Sequence, residues 1–397
     1  MNSISINHFS DKFVFWNLKK ISYGHLELVD SNGNKYFFGN KNSPLNAKIT
    51  INDPSFTSKL LRKGSSGLGE SYMNSEFETD DLPSLIELSA RNINVTYKFS
   101  GLIEIPLVQN IFNKIVNTNT REGSKKNISA HYDLGNEFFS VWLDKTLTYS
   151  CGIFNSPDET LETAQINKYN KLIDLIQPKA GSKLLEIGCG WGGFAEQIAK
   201  NHDVQLDCIT ISKKQFEFTK ARINRLGLNH KVNTKMLDYR DVKKKYDNII
   251  SIEMIEAVGE KNLNSYFKSI KENLTSGGRA AIQSIVISDS LYDRYRTKED
   301  FIQKFIFPGG FLPSLKSLKK LSSNSGLVID SQKLYGEHYS NTLQKWRKSF
   351  LNSWEQISRQ GFNLNFKNMW DFYLSYCQAG FNSKNIDLIQ FSLCKKY

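Results

Sequence analysis

Apolar and polar positions follow two different rhythms along this chain. Among the first hundred residues the segments LELVD and KYFFG flank Asn32 and Gly33, which predicts a hairpin closed by a tight turn. Helical spacing follows. The stretch DPSFTSKLLRKGSSGLGESYMNSEF predicts a helix broken at its Gly/Ser cluster, and DDLPSLIELSARN opens another with an acidic start and Pro83 in its first turn. Residues 116–128 are polar and poor in large apolar side chains, as expected of an exposed linker. Beyond them helix-length segments separate short apolar runs: KLLEIG (183–188), VQLDCIT (204–210), YDNIISI (246–252), GRAAIQSIVI (278–287) and GLVIDSQKL (326–334). Strands alternating with helices predict βαβ units, right-handed crossovers and a mostly parallel sheet whose ligands bind at the carboxyl ends of the strands. The predicted organisation is a small α+β domain over 1–115, the linker 116–128, and an α/β domain over 129–397.

Composition narrows the setting. With 397 residues, 40% apolar and 23% charged, the chain can bury a sizeable core and is far from the composition of a disordered protein. No run reaches the roughly 18 apolar residues of a spanning helix, and the start MNSISINHFSDKF lacks a basic region followed by an apolar stretch, so a cytoplasmic location is expected. Cys151, Cys189, Cys208, Cys377 and Cys394 form no CxxC pair, so neither a zinc site nor a disulfide framework is indicated. The net charge of +12 implies an anionic partner, nucleic acid or an acidic bilayer face. With 11 Arg against 41 Lys among the 52 basic residues, a bias that genome base composition can also produce, the charge is given little weight.

The chemistry begins at LLEIGCGWGGFA. An apolar strand runs into glycines at 188, 190, 192 and 193 and then into a helical segment, so backbone turns tightly and comes close to a ligand at a helix N-terminus. A dinucleotide loop has a similar glycine pattern. Glu186 tilts the choice, because an acid two residues before the first glycine suits a cofactor with an ammonium and a sulfonium better than one with a pyrophosphate. In MLDYRD, Asp238 ends another short apolar segment, where an acid either accepts from an adenine amino group or is a solvated loop residue.

Longer strings carry a family resemblance over nearly the whole chain: GSSGLGESYMNSEFE, HYDLGNEFFSVWLDKTLTYSCGIF, LLEIGCGWGGFA, TISKKQ, LDYRD, FIFPGGFLPS, HYSNTLQKW and MWDFYLSYCQAGF. By these the chain resembles the cyclopropane fatty acyl phospholipid synthases. The resemblance implies a class I S-adenosylmethionine (SAM)-dependent methyltransferase fold, Rossmann-like with a mostly parallel sheet, preceded by a small N-terminal α+β domain. It implies a C-methyltransferase acting on the double bond of unsaturated acyl chains of phospholipid, and a homodimer. Tyr149, Ser150, Gly188, Gly190 and Gly192 are then expected around the methionine half of SAM, Thr210, Ser212 and Gln215 at the ribose, and Asp238 with Tyr239 at the adenine. A bound bicarbonate is implied as base, held by Cys151, Glu256 and Tyr339 together with a histidine and a backbone amide on the strand AAIQSIVI.

Two departures stand out. IEMIEAVG has Ala257 where the family pattern has histidine after Glu256, and adds Glu253; the strand histidine is replaced by Gln283. Gln283 can orient an anion through its amide but cannot carry a titrating proton. An alkene is a poor nucleophile, so transfer needs an aligned methyl, excluded water and a tolerated carbocation, which aromatic faces attract. Tyr132, Phe138, Phe139, Phe305 and Phe307 lie in or beside the motifs and are candidates to line an acyl tunnel, although most aromatics simply pack cores. If no anion binds, Glu253 or Glu256 must take the proton, and a rearranged cation leaves a methylene or methyl branch. A nucleic-acid amino-methyltransferase is disfavoured because SIEMIEAVG replaces the Asn/Asp-Pro-Pro-aromatic string of that class, and a non-catalytic lipid carrier would not need the glycine loop. Phospholipid acyl chains at an anionic membrane surface are the expected partner, with peripheral membrane association.

Overall fold

The computed structural model describes residues 9–96 and 134–396. They fall into two compact units: one takes residues up to 113 with 298–306 and 354–385, the other 114–297, 307–353 and 386–397. Residues 354–385, expected within the second domain, therefore belong to the first unit. The predicted linker lies outside the described residues, as does Tyr132.

In the first unit helix α1 (Phe9–Leu18) precedes β1 (His25–Val29), β2 (Lys35–Gly39) and β3 (Asn46–Ile51). Strands β1 and β2 pair antiparallel with Leu28 opposite Tyr36, and Gly33 turns the hairpin at a φ of 84°. Helix α2 (Ser55–Met73) is kinked at Gly64, whose φ of 54° and ψ of −128° only a glycine adopts without strain. A short β4 (Phe77–Glu78) completes a sheet of order β2-β1-β3-β4. Helix α3 (Leu82–Arg91) starts where Asp81 accepts from the Ser84 amide, the cap that the acidic start and Pro83 predicted. A single turn α4 (Ile93–Thr96) follows.

The second unit holds α5 (Asn136–Trp142), α6 (Leu161–Ile176), β5 (Ser182–Ile187), α7 (Gly193–Asn201), β6 (Val204–Thr210), α8 (Lys213–Arg225), β7 (Val232–Met236) and β8 (Tyr246–Ile252). It continues through α9 (Leu263–Asn273), β9 (Leu274–Ile287), α10 (Asp289–Tyr295), α11 (Leu315–Asn324), β10 (Leu327–Leu334) and α12 (Gly336–Asn352). Helices α13 (Trp354–Ser358) and α14 (Leu364–Asn382) belong to the first unit, and β11 (Ile386–Lys395) returns to the second.

The seven-stranded sheet has the order β10-β11-β9-β8-β5-β6-β7, parallel from β9 to β7, with β11 antiparallel to both β9 and β10. All five predicted strands are present, and β7 and β11 are additions. Leu184 and Leu185, adjacent on β5, enter two different apolar clusters, so both faces of the sheet are covered. Strand order reverses at β5, between β6 and β8, and there the carboxyl ends open the crevice that doubly wound sheets use for ligands.

Candidate active site

The loop after β5 is built to receive a ligand. Gly188, Gly190 and Gly192 have φ of 83°, 50° and 80°, a left-handed region costly for any residue with a Cβ. A Cβ at Gly188 would meet Met254 Cγ at 2.8 Å and one at Gly192 would meet Thr219 Cγ2 at 2.8 Å, whereas one at Gly190 would meet nothing within 4 Å. Two of these glycines are thus required by packing, and Gly190 borders open space. The Thr219 hydroxyl donates to the Gly190 carbonyl at 2.9 Å and helps hold the loop. Glu186 is buried at 3% exposure, and its Oε2 has no hydrogen-bond partner among the described residues. Burial pushes its carboxyl well above the usual range, with the Lys168 ammonium opposing.

The ribose and adenine candidates make one continuous wall at the ends of β6 and β7. The Thr210 hydroxyl donates to Gln215 Oε1 at 3.0 Å and accepts from the Ser212 amide at 3.1 Å, while Ser212 caps α8 by accepting from the Gln215 amide at 3.3 Å. Asp238 accepts from Arg240 three times, at its amide (2.9 Å), Nε (2.9 Å) and Nη2 (2.7 Å), so it is a paired acid rather than a solvated one. The Tyr239 ring packs edge-on against Tyr266 at 5.6 Å, and burial pushes its hydroxyl to about 12.

Next to the loop the candidate catalytic residues converge, on an unexpected partner. Glu253 Oε1 accepts from the Cys151 amide at 2.9 Å and from Gln283 Nε2 at 2.7 Å, and its Oε2 accepts from the Tyr339 hydroxyl at 2.6 Å. Gln283 is fully buried, donates also to the Cys151 carbonyl at 3.3 Å, and accepts from Gln390 Nε2 at 2.8 Å. Glu256 sits apart from that trio: its Oε1 accepts from the Ile285 amide at 2.6 Å, and its buried Oε2 has no hydrogen-bond partner among the described residues. Burial and then the neighbouring Glu253 push the Glu256 carboxyl to about 8. Burial also raises Glu253, against the hydrogen bonds from Tyr339, Cys151 and Gln283 that lower it. Burial and Glu253 raise the Cys151 thiol well above its ordinary value, so Cys151 acts here through its backbone rather than as a thiolate.

Lys168 carries no motif and was missed from the sequence. It is fully buried, donates to Ser150 Oγ and to Gln165 Oε1 at 2.7 Å each, and burial brings its ammonium down to about 8. A signal existed: Gln165 and Lys168 lie in the stripe of α6 otherwise formed by Ala164, Tyr169, Leu172 and Ile173. Around Tyr149 an aromatic cage gathers Phe139 (5.3 Å), Trp346 (5.2 Å), Trp142 (5.8 Å) and Phe307 (6.5 Å), with Phe138 packed edge-on against Phe139 at 5.0 Å. Phe305 instead packs on Phe301 in the first unit.

The glycine loop, the reversed strand order and the buried acids describe a methyltransferase crevice, and comparison with known proteins agrees. The family described as mycolic acid cyclopropane synthetase matches residues 119–391. The chain belongs to this family. The tuberculostearic acid methyltransferase of Mycobacterium tuberculosis (strain ATCC 25618 / H37Rv) is 33% identical over 380 residues, 94% of this chain and 88% of that protein. The cyclopropane-fatty-acyl-phospholipid synthase of Escherichia coli (strain K12) is 33% identical over 347 residues, 87% of each. Among solved structures, the cyclopropane synthase MmaA2 from Mycobacterium tuberculosis matches 68% of this chain and 98% of its own at 26% identity, with a TM-score of 0.65. A mycolic acid cyclopropane synthase complexed with SAH and CTAB has the same identity and coverage and a TM-score of 0.63. The protein is a SAM-dependent methyltransferase of the class I fold.

Proposed function

We propose that this family member transfers the methyl group of SAM to the double bond of unsaturated fatty acyl chains in phospholipid and closes a cyclopropane. The observation that carries the reading is the similarity, over 87% of both chains, to a cyclopropane-fatty-acyl-phospholipid synthase. The residues present fit the cofactor. The lone Oε2 of Glu186 and the open space at Gly190 suit the amino-acid end, and we assign Ser150 to the same end, Ser212 and Gln215 to the ribose side and Asp238 to the adenine side. SAM supplies an electrophilic methyl and a departing thioether. The chain's own part is to hold the alkene dry and its cation tolerable, and we assign that role to the aromatic cage around Tyr149, since a ring face attracts positive charge by about 0.5–2 kcal/mol per contact.

Acyl chains of phospholipid lie in membranes, and we infer that the enzyme works at an anionic membrane surface. No helix among the described residues is long and apolar enough to cross a membrane. The net charge of +12 and the exposed Trp16 (56%) and Phe37 (62%) of the first unit support surface binding. Vesicle co-sedimentation is expected to rise with anionic lipid and fall with salt; equal binding to neutral vesicles removes the charge from this role. The homodimer implied by the resemblance is checked by analytical ultracentrifugation.

The deciding experiment incubates the protein with trideuteromethyl SAM and vesicles of unsaturated phospholipid. A cyclopropane retains two of the three methyl deuterons and shows high-field ring resonances; vinylic resonances would assign a methylene branch instead. Absence of any labelled lipid would reject the substrate class.

A further inference from the structure

The resemblance implies a bicarbonate among Cys151, Tyr339, Glu256 and the strand position held by Gln283, but the structure does not fit that guest. The donors that would hold it are already bound by a carboxylate of the chain: Glu253 takes the Cys151 amide, the Gln283 amide and the Tyr339 hydroxyl, all within 2.9 Å. Three donors converging on two oxygens are what an exogenous anion would need, and here the anion is tethered.

The backbone is bent to put it there. Glu253 has a φ of 48°, uncommon for a residue with a long side chain, and its amide is anchored to the Gln283 carbonyl at 2.9 Å. Such conformations persist where the surroundings over-determine them, and they cluster at active sites. The two departures from the family pattern then explain each other. A carboxyl group tethered in the site is met by a fixed neutral donor rather than a titrating histidine, and Gln390 sets the Gln283 amide by donating to its oxygen at 2.8 Å, leaving the NH2 for Glu253.

We propose that Glu253 replaces bicarbonate as the built-in base of this enzyme. The inference rests on the substrate reading above. When the alkene π pair has formed the bond to the methyl carbon and the carbon–sulfur pair has stayed on sulfur, the neighbouring lipid carbon is cationic. The Glu253 carboxylate then takes a proton from the transferred methyl, the freed C–H pair closes the second carbon–carbon bond, and the proton later leaves to solvent. Glu256, whose buried carboxyl keeps its proton at neutral pH, spares Glu253 a second charge beside it.

The test uses the full-length protein in buffer stripped of carbon dioxide, then with bicarbonate or formate restored. The wild type is expected to change rate by less than about twofold, and Glu253→Ala to fall by about 10² to 10⁴ and recover at least about tenfold with either anion. Glu253→Gln keeps the shape, fills the site, and is expected to stay slow under all conditions. A readout independent of turnover is the ¹³C line width of labelled bicarbonate, broadened by Glu253→Ala and not by wild type, with SAM affinity by calorimetry confirming that each variant is folded. Wild-type stimulation of about tenfold by bicarbonate, bicarbonate broadening by wild type, or a wild-type rate in Glu253→Gln would each overturn the proposal. If wild type forms no lipid product at all, the substrate reading fails, and bicarbonate binding still decides whether Glu253 fills the anion site.

Discussion

Glu256 and Glu186 are carboxyls that the fold holds at a cost, and each cost can be measured. Glu256 titrates at about 8 in the folded protein against an ordinary value of 4.5. A carboxyl raised in this way contributes stability that is complete below 4.5 and is lost progressively as pH climbs to about 8. Glu256→Gln removes that dependence, so its melting temperature is expected to fall less than that of wild type between pH 5 and pH 8. Parallel curves would show that Glu256 ionises freely. At Glu186 the buried unpartnered oxygen is a liability without ligand and an asset with it. Glu186→Gln is expected to raise the melting temperature of the ligand-free protein and to weaken SAM binding by about 10- to 100-fold, the range of one charge-assisted hydrogen bond. Calorimetry showing unchanged affinity would move the cofactor's ammonium elsewhere. Glu186 itself was legible in the sequence because it precedes a glycine loop, whereas Lys168 shows in the sequence only as a polar position within the apolar stripe of α6, and its bond to Ser150 is a tertiary contact.

At the scale of elements, the glycine loop divides into positions that serve packing and one that serves the ligand. Gly192→Ala drives a Cβ to 2.8 Å from Thr219 at a φ of 80°, so it is expected to destabilise the fold by about 1–3 kcal/mol in thermal or urea unfolding. Gly190→Leu points into open space and is expected to abolish SAM binding while costing only the left-handed strain of about 1–2 kcal/mol. The reverse pattern, with binding lost first in Gly192→Ala, would contradict this division. Strands β5, β6 and β8 were legible because they lie inside the sheet and carry short runs of buried apolar residues between helix-length segments. Strand β7 was not: VNTKM is an edge strand with a single buried residue, and its local pattern is that of a loop.

At the scale of the whole molecule, the division into units departs from the order of the chain. Helix α14 packs within the first unit: Asp371 accepts from the Tyr72 hydroxyl at 2.9 Å, Arg91 donates to the Asn382 carbonyl at 2.9 Å, Asn385 donates to the Ala90 carbonyl at 3.0 Å, and the Phe372 ring packs tilted against Phe301 at 4.5 Å. A fragment ending at residue 115 therefore exposes the faces of α2 and α3 that α14 covers. It is expected to give a poorly dispersed amide spectrum and to bind a hydrophobic dye, and supplying 354–385 through a linker is expected to restore dispersion. A well-dispersed spectrum from residues 1–115 alone would show that α14 is dispensable to this unit.

The sequence by itself determined the parallel strands β5, β6, β8 and β9, the turn at Gly33, the Asp81 cap, the glycine loop with its acid and the membership of a methyltransferase family, because each is written in local periodicity or in contiguous motifs. Tertiary structure decided the rest. That α14 joins the N-terminal unit, that β11 inserts antiparallel between β9 and β10, and that Glu253 rather than Glu256 meets Cys151, Gln283 and Tyr339 all depend on pairings between residues about 30 to 300 positions apart. Sequence spacing carries no measure of such distances: hydrogen bonds and buried faces find their partners only once the sheet has closed its order and brought the ends of β8, β9 and α12 to one place.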